Sequence, residues 1–580
     1  MKLPALYTLP RSQVVIRSFG GYNHTTACEE GEYFNGENLS ARSWPALCPR
    51  LPRRRLAQLQ QPHGLYAKNG LIWVDGDTLY YKGMPMGTVQ DNDKTFCGIG
   101  AKVLIWPDKL CFDTTDGTLR PLGAQWTSAQ AVRFAPARID STEYTVRFAG
   151  PDEPEAPENG DYWLDTSGEA DVLRVYAAAS ASWAAVSTPY VRIEAAGIGK
   201  GFAKYDAVTL SGIRADVLGQ RAAALNTDCV IWDKGEDFIT VTGLIDKGGE
   251  QTAEQGVITV ERCIPDLDFL TECDNRVWGV ARGGHEIHAC KLGDPTNWYC
   301  YMGTAADSYT VSVGSDGDFT GAATCMGYVL LFKENTLHRV YGSKPANYQV
   351  VTVPCQGVKA GCEKSLANVD STLCYYSPDG PMACDGGLPE AIGRALGASP
   401  GRLAAAGAAH GCYYLSMKGG RREEWSLFCY DMTRGIWHRE DGVHALYFAA
   451  DGSELLFLNA EGEIWVVGSE TSALRGGAGE GLVSWYAETG KLGLREPGHQ
   501  FVTRVELRLE AAAGATAQIS VQYDSTGRWV PAAVLPAGPR RSATVPLSPR
   551  RCEQFRLRIE GRGQVTLHAL TRTYVKGSEL

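Results

Sequence analysis

Two histidines lie close together at His285 and His288, on either side of Glu286 and Ile287. Imidazole nitrogens are common zinc ligands, so this cluster is the first candidate for a metal site. The zinc-hydrolase helix needs its histidines at positions i and i+4, and side chains three residues apart in a strand point to opposite faces. We therefore interpret the segment as the polar end of a strand, and the sequence predicts no metal ligands.

Paired carboxylates occur twice, as Asp266 with Asp268 and as Asp316 with Asp318. Neither pair continues into a calcium-binding loop with its terminal Glu. A glycoside hydrolase needs two carboxylates on opposite sides of a cleft, and the linear order places no pair in that way. We interpret both pairs as polar turn residues at strand ends.

Two glycine-containing segments match known functional loops only in part. Residues 197–201 (GIGKG) lack the first Gly of a phosphate-binding loop and the Ser or Thr that follows its Lys. Residues 523–529 (YDSTGRW) differ in order from the Asp-box turn of sialidases and occur once. No nucleophile elbow stands out, and the linear order pairs no Cys with a His. The sequence therefore predicts no catalytic residue, no cofactor and no enzymatic activity.

Arginine clusters occur at residues 53–55, 421–422, 540–541 and 550–551. Guanidinium groups bind phosphate, so each cluster is a candidate contact for DNA. The chain nevertheless carries a net charge of −10 with a pI near 5.6, and its summed field opposes a polyanion. We interpret the clusters as solvated surface and expect any DNA contact to be local.

The cysteines number 17, an odd count, and none is part of a Cys-x-x-Cys pair. This spacing argues against a zinc ribbon and against a disulfide scaffold. Several lie inside strand-like runs, as in Leu110-Cys111-Phe112, where a free thiol behaves as a small buried hydrophobe. We therefore predict free, buried thiols.

Short strands joined by tight turns are the elements that must position all of these residues. Residues 274–387 repeat one pattern: a short apolar run, a polar turn, an aromatic-ended run and then Gly, as at 327–342. A repeat of roughly 40 to 50 residues made of short strands is typical of propeller blades. Two such units precede residue 131 and five follow residue 272, so we predict an all-β fold built on a β-propeller of about seven blades.

Changes in composition divide the chain further. An acidic, Pro-rich stretch at 151–160, followed by separate strand-like runs, indicates a β-rich domain inserted between blades. Alternating polar and apolar residues at 504–509 and 555–559 indicate a C-terminal β-sandwich. The predicted parts are an extended N-terminal arm at 1–56, the first part of the propeller at 57–131, the inserted domain at 132–268, the second part of the propeller at 269–470, a linker at 471–481 and the sandwich at 482–580.

Several segments, spread over most of residues 15–470, resemble phage virion proteins of the tail-hub or packaged-DNA stabilisation type, from prophages of Gram-positive bacteria. The motifs are turns and strand ends rather than reactive residues. The segments that carry the resemblance are 19–23 (FGGYN), 30–40 (EGEYFNGENLS), 45–55, 159–168 (NGDYWLDTSG), 274–279 (DNRVWG), 291–298 (KLGDPTNW) and 332–334 (FKE).

This resemblance implies a non-enzymatic structural protein of a phage virion, a neck or tail component that forms a homo-oligomeric ring and seals or conducts packaged DNA. Its implied partners are other virion proteins, such as a portal, adaptor or tail protein, with DNA in the lumen. No run of about 18 apolar residues is present, and the first five residues lack the apolar core of a secretory leader. We therefore expect no membrane anchor, and a location in the host cytoplasm during assembly and in the virion afterwards.

Two alternatives remain open. The 14 Trp, 26 Tyr and 16 Phe, with Trp163 and Trp183 at turns, are compatible with a receptor- or carbohydrate-binding tail protein, because aromatic rings stack on sugars. A glycoside hydrolase on a propeller is the third class, and it lacks an acid pair and a repeated Asp box. A glycan-binding test separates the first alternative from the structural protein.

Overall fold

A computed structural model shows that the secondary structure of the described residues is almost entirely β-strand, with 53 strands, two single-turn α-helices and three short 3-10 turns among them. The predicted all-β fold class is confirmed. No helix among the described residues is long and apolar enough to cross a membrane. The structure describes residues 10–397, 401–419, 423–468, 479–494, 498–535, 542–545 and 551–576.

The chain forms two compact units. The first contains residues 1–94, 315–339 and 351–580 as far as they are described, and the second contains 95–314 and 340–350. The N-terminal strands belong to the first unit. They are β1 (Arg11–Ile16), β2 (Gly21–Tyr22), β3 (Glu32–Glu37), β4 (Leu39–Ser40), β5 (Cys48–Pro49) and β6 (Arg54–Gln58).

Two four-stranded sheets of consecutive strands follow, here named the first and second meanders. Hairpins of the first meander turn at Asn69, with φ of 55°, and at Gly76, with φ of 58°. Tight hairpin turns require positive φ, which Asn and Gly tolerate. The strands are β7 (Pro62–Ala67), β8 (Leu71–Asp75), β9 (Thr78–Tyr81) and β10 (Met84–Thr88), then β11 (Thr95–Ile99), β12 (Lys102–Trp106), β13 (Leu110–Asp113) and β14 (Leu119–Pro121).

The inserted region in the second unit contains an eight-stranded sheet and a separate four-stranded sheet, β17 to β20. Strand order in the larger sheet is β15-β26-β22-β23-β24-β21-β16-β25. The elements are β15 (Gln125–Thr127), β16 (Val132–Ala137), β17 (Val146–Gly150), β18 (Tyr162–Asp165), β19 (Val172–Ala177), β20 (Ser182–Ala185), β21 (Tyr190–Glu194), β22 (Ala207–Ser211), α1 (Ala215–Leu218), α2 (Gln220–Ala223), β23 (Asp228–Lys234), β24 (Phe238–Thr242), β25 (Gly249–Gln251) and β26 (Thr259–Arg262).

Five more four-stranded sheets, the third to seventh meanders, follow in chain order. The seventh contains β43 to β45 and takes its fourth strand, β6, from the N-terminal region. The strands are β27 (Phe269–Cys273), β28 (Arg276–Val280), β29 (Glu286–Ala289) and β30 (Tyr309–Ser312); β31 (Phe319–Cys325), β32 (Tyr328–Lys333), β33 (Thr336–Tyr341) and β34 (Gln349–Pro354); β35 (Ala367–Val369), β36 (Thr372–Ser377), β37 (Gly380–Cys384) and β38 (Glu390–Ala391); β39 (Leu403–Ala409), β40 (Cys412–Gly419), β41 (Glu424–Asp431) and β42 (Ile436–Arg439); and β43 (Ala445–Asp451), β44 (Glu454–Asn459) and β45 (Glu463–Val466).

Within the second unit, the second and third meanders share a buried core. Trp106 and Trp298 are both almost fully buried, with their rings 6.0 Å apart in a T-shaped contact. The inserted region has a core of its own, which includes Phe134 and Ile193. The Asn297 side chain donates to the Tyr205 carbonyl at 2.9 Å and so ties the third meander to the inserted region.

Within the first unit, neighbouring meanders pack in succession from the fourth to the seventh and on to the first. Phe332 of the fourth contacts Tyr375 of the fifth, with ring centroids 5.1 Å apart. Tyr413 of the sixth donates to the Ser365 carbonyl before the fifth at 2.8 Å. The seventh and first meanders share a cluster that includes Leu456 of β44 and Leu65 of β7.

The C-terminal strands of the first unit form two sheets that share one buried cluster, the arrangement of a β-sandwich. Alternate residues of β52 are buried, from Phe555 through Leu557 to Ile559. The strands are β46 (Ser484–Thr489), β47 (Gln500–Ala511), β48 (Thr516–Tyr523), β49 (Val530–Leu535), β50 (Ala543–Val545), β51 (Arg551–Cys552), β52 (Phe555–Arg562) and β53 (Val565–Lys576).

The N-terminal strands complete these two sheets. The five-stranded sheet has the order β1-β53-β47-β50, with β51 also on β47, and the six-stranded sheet has the order β2-β3-β46-β52-β48-β49. Strands β1 to β3 are therefore part of the sandwich rather than an arm, β4 and β5 pair with each other, and the predicted boundary at residue 56 falls inside β6. The pairings of β1 and β3 with C-terminal strands join positions about 450 to 560 residues apart, as in Glu37 with Tyr486 and Arg11 with Val575, and no local pattern reveals them. Of the predicted linker, residues 471–478 lie outside the described residues.

All 17 cysteines are free thiols, ten buried and seven partly buried, as the sequence predicts. Burial raises the pKa of Cys290 and Cys374 to about 12, so their reactive thiolates are rare at neutral pH.

We expect the native protein to react with iodoacetamide at only a few of its cysteines within minutes near pH 8, because thiolate formation and access are both suppressed. Intact-mass measurement would count the labelled sites, with the same protein in concentrated urea as the control for complete labelling. Rapid labelling of most sites in the native protein would contradict the buried-thiol interpretation.

Candidate functional site

The two candidate histidines of residues 285–288 occupy different environments. His285 is exposed and precedes β29, whereas His288 is buried in that strand. The His288 ring contacts Thr310 Oγ1 at 3.3 Å, and burial lowers its pKa. No group of three His, Cys, Asp or Glu side chains in the part of the chain that the structure describes is arranged to hold a metal ion.

The paired carboxylates are turn residues. Asp266 is 94% exposed and pairs with Lys109 at 2.8 Å, while Asp268 accepts from the backbone N–H of Arg282 at 2.7 Å. Asp316 and Asp318 are both exposed in the turn before β31. None of these carboxylates faces a second carboxylate across a cleft.

The two glycine-containing segments are turns held by carboxylates. In the first, Asp237 accepts from the backbone N–H of Gly197 at 2.7 Å, and Lys200 pairs with Glu236 at 2.8 Å. In the second, Asp524 accepts from the backbone N–H of Glu553 at 2.8 Å. Each segment has a complete structural explanation.

The two turn tryptophans pack on each other instead of lying open to a sugar. Trp163 is 6% exposed and donates to the Gly150 carbonyl at 3.0 Å. Trp183 is half-buried, with its ring 5.5 Å from that of Trp163. Both lie in strands, β18 and β20, rather than in turns, and their rings form the small core of the sheet β17 to β20.

The arginine cluster at residues 53–55 is not simply solvated surface. Arg53, which immediately precedes β6, is 3% exposed because it packs against the loop that joins β42 to β43. Arg55 is the solvated member, 44% exposed and paired with Glu463 at 2.8 Å. Of the other clusters, only Arg551 is described; residues 421–422, 540–541 and 550 lie outside the described residues.

Arg53 belongs to a buried ion cluster of two arginines and three acids, here called the junction cluster. Its guanidinium contacts Glu440 at 2.5 Å and Asp441 at 2.6 Å. Arg50 contacts Glu480 at 2.6 Å and Asp441 at 3.3 Å. The cluster joins the N-terminal chain to the seventh meander and to the segment that leads into the sandwich.

The electrostatics of the junction cluster favour the charged forms of Asp441 and Glu480. Burial by itself raises the pKa of Asp441, but the adjacent Arg53 outweighs this and holds that pKa below its usual range. The pKa of Glu480 is likewise lowered by Arg50 against the effect of burial. A buried ion network of this kind is costly to break at one member, because the remaining charges lose their partners.

A second polar cluster, here called the His63 cluster, joins the first, fifth and seventh meanders. The His63 ring lies 2.8 Å from Asp91 and 3.2 Å from Asp93. Lys364, just before the fifth meander, reaches Asp93 at 3.4 Å and lies 3.8 Å from the Tyr447 ring centroid. Both ring nitrogens of His63 are engaged by carboxylates, so this histidine is held as a structural contact rather than as a free base.

An open groove of about 390 Å³ crosses the solvent face of the six-stranded sheet. Its floor is one transverse row of the sheet, in which Glu37 pairs with Tyr486, Tyr486 with Glu560, and Glu560 with Gln518. Arg562 lines the next row and is exposed. Sequence reasoning missed these residues, although the alternation of Ser484, Tyr486 and Glu488 against buried Trp485 and Ala487 marks the polar face.

Comparison with known proteins assigns no family. No family model matches the chain, and no curated protein sequence matches it. Among solved structures it is similar to BamB from Moraxella catarrhalis, with 11% identity, 73% of this chain and 98% of that chain covered, and a TM-score of 0.33.

Two further solved structures show weaker likeness. PorZ, a bacterial surface component of the type-IX secretion system of Porphyromonas gingivalis, is 11% identical over 83% of this chain and 70% of that chain, with a TM-score of 0.25. The endosialidase of phage phi92 is 10% identical over 78% of this chain and 54% of that chain, with a TM-score of 0.15. Likeness at these TM-scores carries no argument about function.

Proposed function

We propose that the seven meanders are the blades of one closed β-propeller. The support is the shared pattern of four consecutive strands in each sheet and the supply of the last outer strand by β6. In a propeller, the last blade can take its outer strand from the segment that precedes the first blade. This pairing closes the ring of blades and leaves no long strand edge unpaired. The junction cluster stabilises the same closure between β6 and the seventh meander, since Arg53 precedes β6 and its acidic partners precede β43.

On this scaffold we propose a non-enzymatic structural protein of a phage virion, a neck or tail component that assembles in a ring. The single observation that carries the proposal is that the N-terminal region is built into both the seventh meander and the sandwich. Antiparallel pairing along whole strands, as between β1 and β53, lets a subunit bear load without unravelling from its ends. The segments that resemble tail-hub proteins, at residues 30–40 and 45–55, lie in this same region.

If DNA is sealed or conducted, its path lies in the lumen between subunits and not along the axis of one propeller. Lys364 precedes the fifth meander and reaches Asp93 beyond the first, so their ion pair spans between blades that are not neighbours. The net charge of −10 is compatible with a lumen that binds DNA weakly and lets it slide, because an acidic surface does not neutralise the DNA phosphates.

We expect the purified chain, mixed with portal, adaptor or tail proteins from its own source, to form a ring whose mass contains several copies of 62.8 kDa. Mass photometry would measure the copy number, and electron microscopy would show the ring. The chain alone is the control, since ring formation can require the partner as a template. Monomers in every mixture, together with its absence from purified particles by mass spectrometry, would refute the proposal.

A further inference from the structure

The groove on the six-stranded sheet has the shape and size of a binding site for a chain-like ligand. It is open along its length, and its volume of about 390 Å³ lies within the range of roughly 300–1,000 Å³ typical of ligand sites. The row from Glu37 to Gln518 crosses four strands, which at the usual strand spacing is about 14 Å. That length suits a short stretch of oligosaccharide.

One aromatic ring in the groove is placed for stacking. Tyr486 is half-buried in the centre of the row, with the Arg558 guanidinium over its ring at 4.7 Å from the centroid. The groove is lined by Tyr486 but not by Arg558, which leaves the side of the ring away from that arginine for a ligand. Burial raises the pKa of Tyr486, so its hydroxyl remains a neutral donor. A sugar presents an apolar C–H face that packs on such a ring.

Polar groups flank the ring on both sides. Glu37 and Glu560 are 37% and 36% exposed in their side chains, so each carboxylate can accept hydrogen bonds from sugar hydroxyls. Gln518 lies across the row and Arg562 lies in the next row, and both supply donors. Arg562 forms no ion pair with any residue that the structure describes.

The charges in the groove select the kind of glycan. The lining contains two carboxylates and one guanidinium, a balance that disfavours an acidic sugar. The two nearby arginines do not offset it, because Arg558 is engaged by Glu560 at 2.8 Å and by Glu488 at 3.2 Å, and Arg439 lies 4.0 Å from Glu37. Hydroxyl groups, by contrast, can bridge carboxylate acceptors and guanidinium donors without adding charge.

We propose that this groove binds an uncharged hexopyranose glycan, with Tyr486 as the stacking platform and Glu37, Glu560, Gln518 and Arg562 as hydroxyl partners. This goes beyond the structural role, because a particle component with such a groove would also contact a glycan-bearing surface. The proposal specifies the carbohydrate-binding alternative from the sequence analysis by placing the binding site on the C-terminal sandwich.

The test is binding of the full chain to a panel of neutral and acidic oligosaccharides, screened on an array and by saturation-transfer NMR. We expect neutral glycans to bind, with little change as the salt concentration is raised. Tyr486→Ala should weaken binding by about tenfold or more, as loss of an anchoring ring does. Tyr486→Phe should keep it within a few-fold, because the stacking face remains.

The matched control is Tyr301→Ala, which removes a tyrosine that is 52% exposed outside the groove and should leave binding unchanged. Circular dichroism and the melting temperature of each variant would verify folding. Binding only to acidic glycans, neutral binding unaffected by Tyr486→Ala, or no binding by the folded protein would each overturn the assignment. None of these outcomes bears on ring assembly, which is measured separately.

Discussion

Replacing Arg53 with methionine is expected to lower the free energy of unfolding by about 3 kcal/mol or more, because the buried acids Glu440 and Asp441 lose a charged partner. Arg53 is 3% exposed, and these acids lie 2.5 Å and 2.6 Å from its guanidinium. Arg50 remains nearby and compensates only in part, since it lies 3.9 Å from Glu440. Urea unfolding followed by tryptophan fluorescence would measure the loss.

The control for this experiment is Arg55→Met, two residues further along the chain, in β6. Arg55 is 44% exposed, so its pair with Glu463 should contribute no more than about 1 kcal/mol. Adding Glu440→Gln to Arg53→Met removes the buried acid that is left with only a 3.9 Å contact to Arg50 and should recover part of the lost stability. If both arginine replacements lowered the free energy of unfolding by an equally small amount, the junction cluster would not be what stabilises the closure between β6 and the seventh meander.

Acidification is expected to destabilise the first unit as the pH falls below about 6.5, and His438 is one cause. This histidine is 3% exposed in β42, where burial lowers its pKa to about 4. The Tyr33 hydroxyl forms a hydrogen bond with its Nδ1, while Nε2 has no hydrogen-bond partner among the described residues. Asp431 gives an added proton little support, because it is paired with Arg434 at 2.5 Å.

The sign of the effect follows from the difference between the folded and unfolded pKa values. His438 binds a proton near pH 6.5 in the unfolded chain but only near pH 4 in the folded chain. Its contribution to the free energy of unfolding is therefore constant above about pH 6.5 and falls as the pH drops toward 4. The full loss is about 3 kcal/mol for this residue. His338, which is fully buried and has a pKa also lowered by burial to about 4, acts in the same direction.

His438→Asn tests this cause, because the Asn oxygen can take the place of Nδ1 as the acceptor for Tyr33. Between about pH 6.5 and 4, we expect the stability of the variant to fall less steeply with decreasing pH than that of the unaltered protein, because the contribution of His438 is gone. Urea unfolding across that range would measure the difference. His285→Asn, at an exposed position, should leave the slope as it is in the unaltered protein. An unchanged slope in His438→Asn would mean that this histidine has the same pKa in the folded and unfolded states, which would contradict the proposed cause.

The sequence alone determined the all-β class, the repeated four-strand pattern and the turn chemistry, because these depend on local properties. Asn69 and Gly76 mark hairpins by their tolerance of positive φ, and the alternation at Phe555, Leu557 and Ile559 marks a half-buried strand. Free, buried cysteines followed in the same way from their apolar neighbours.

Only the tertiary structure decided what depends on contacts between distant parts of the chain. The N-terminal segment was predicted as an arm, yet β1 pairs with β53 and β6 completes the seventh meander. Arg53 was interpreted as surface, and it is buried because acids almost 400 residues later surround it. The groove exists because the register of the sheet sets Glu37, Tyr486 and Glu560 side by side. Strand register and long-range pairing are set by the packing of whole sheets, so no local pattern in the sequence contains them.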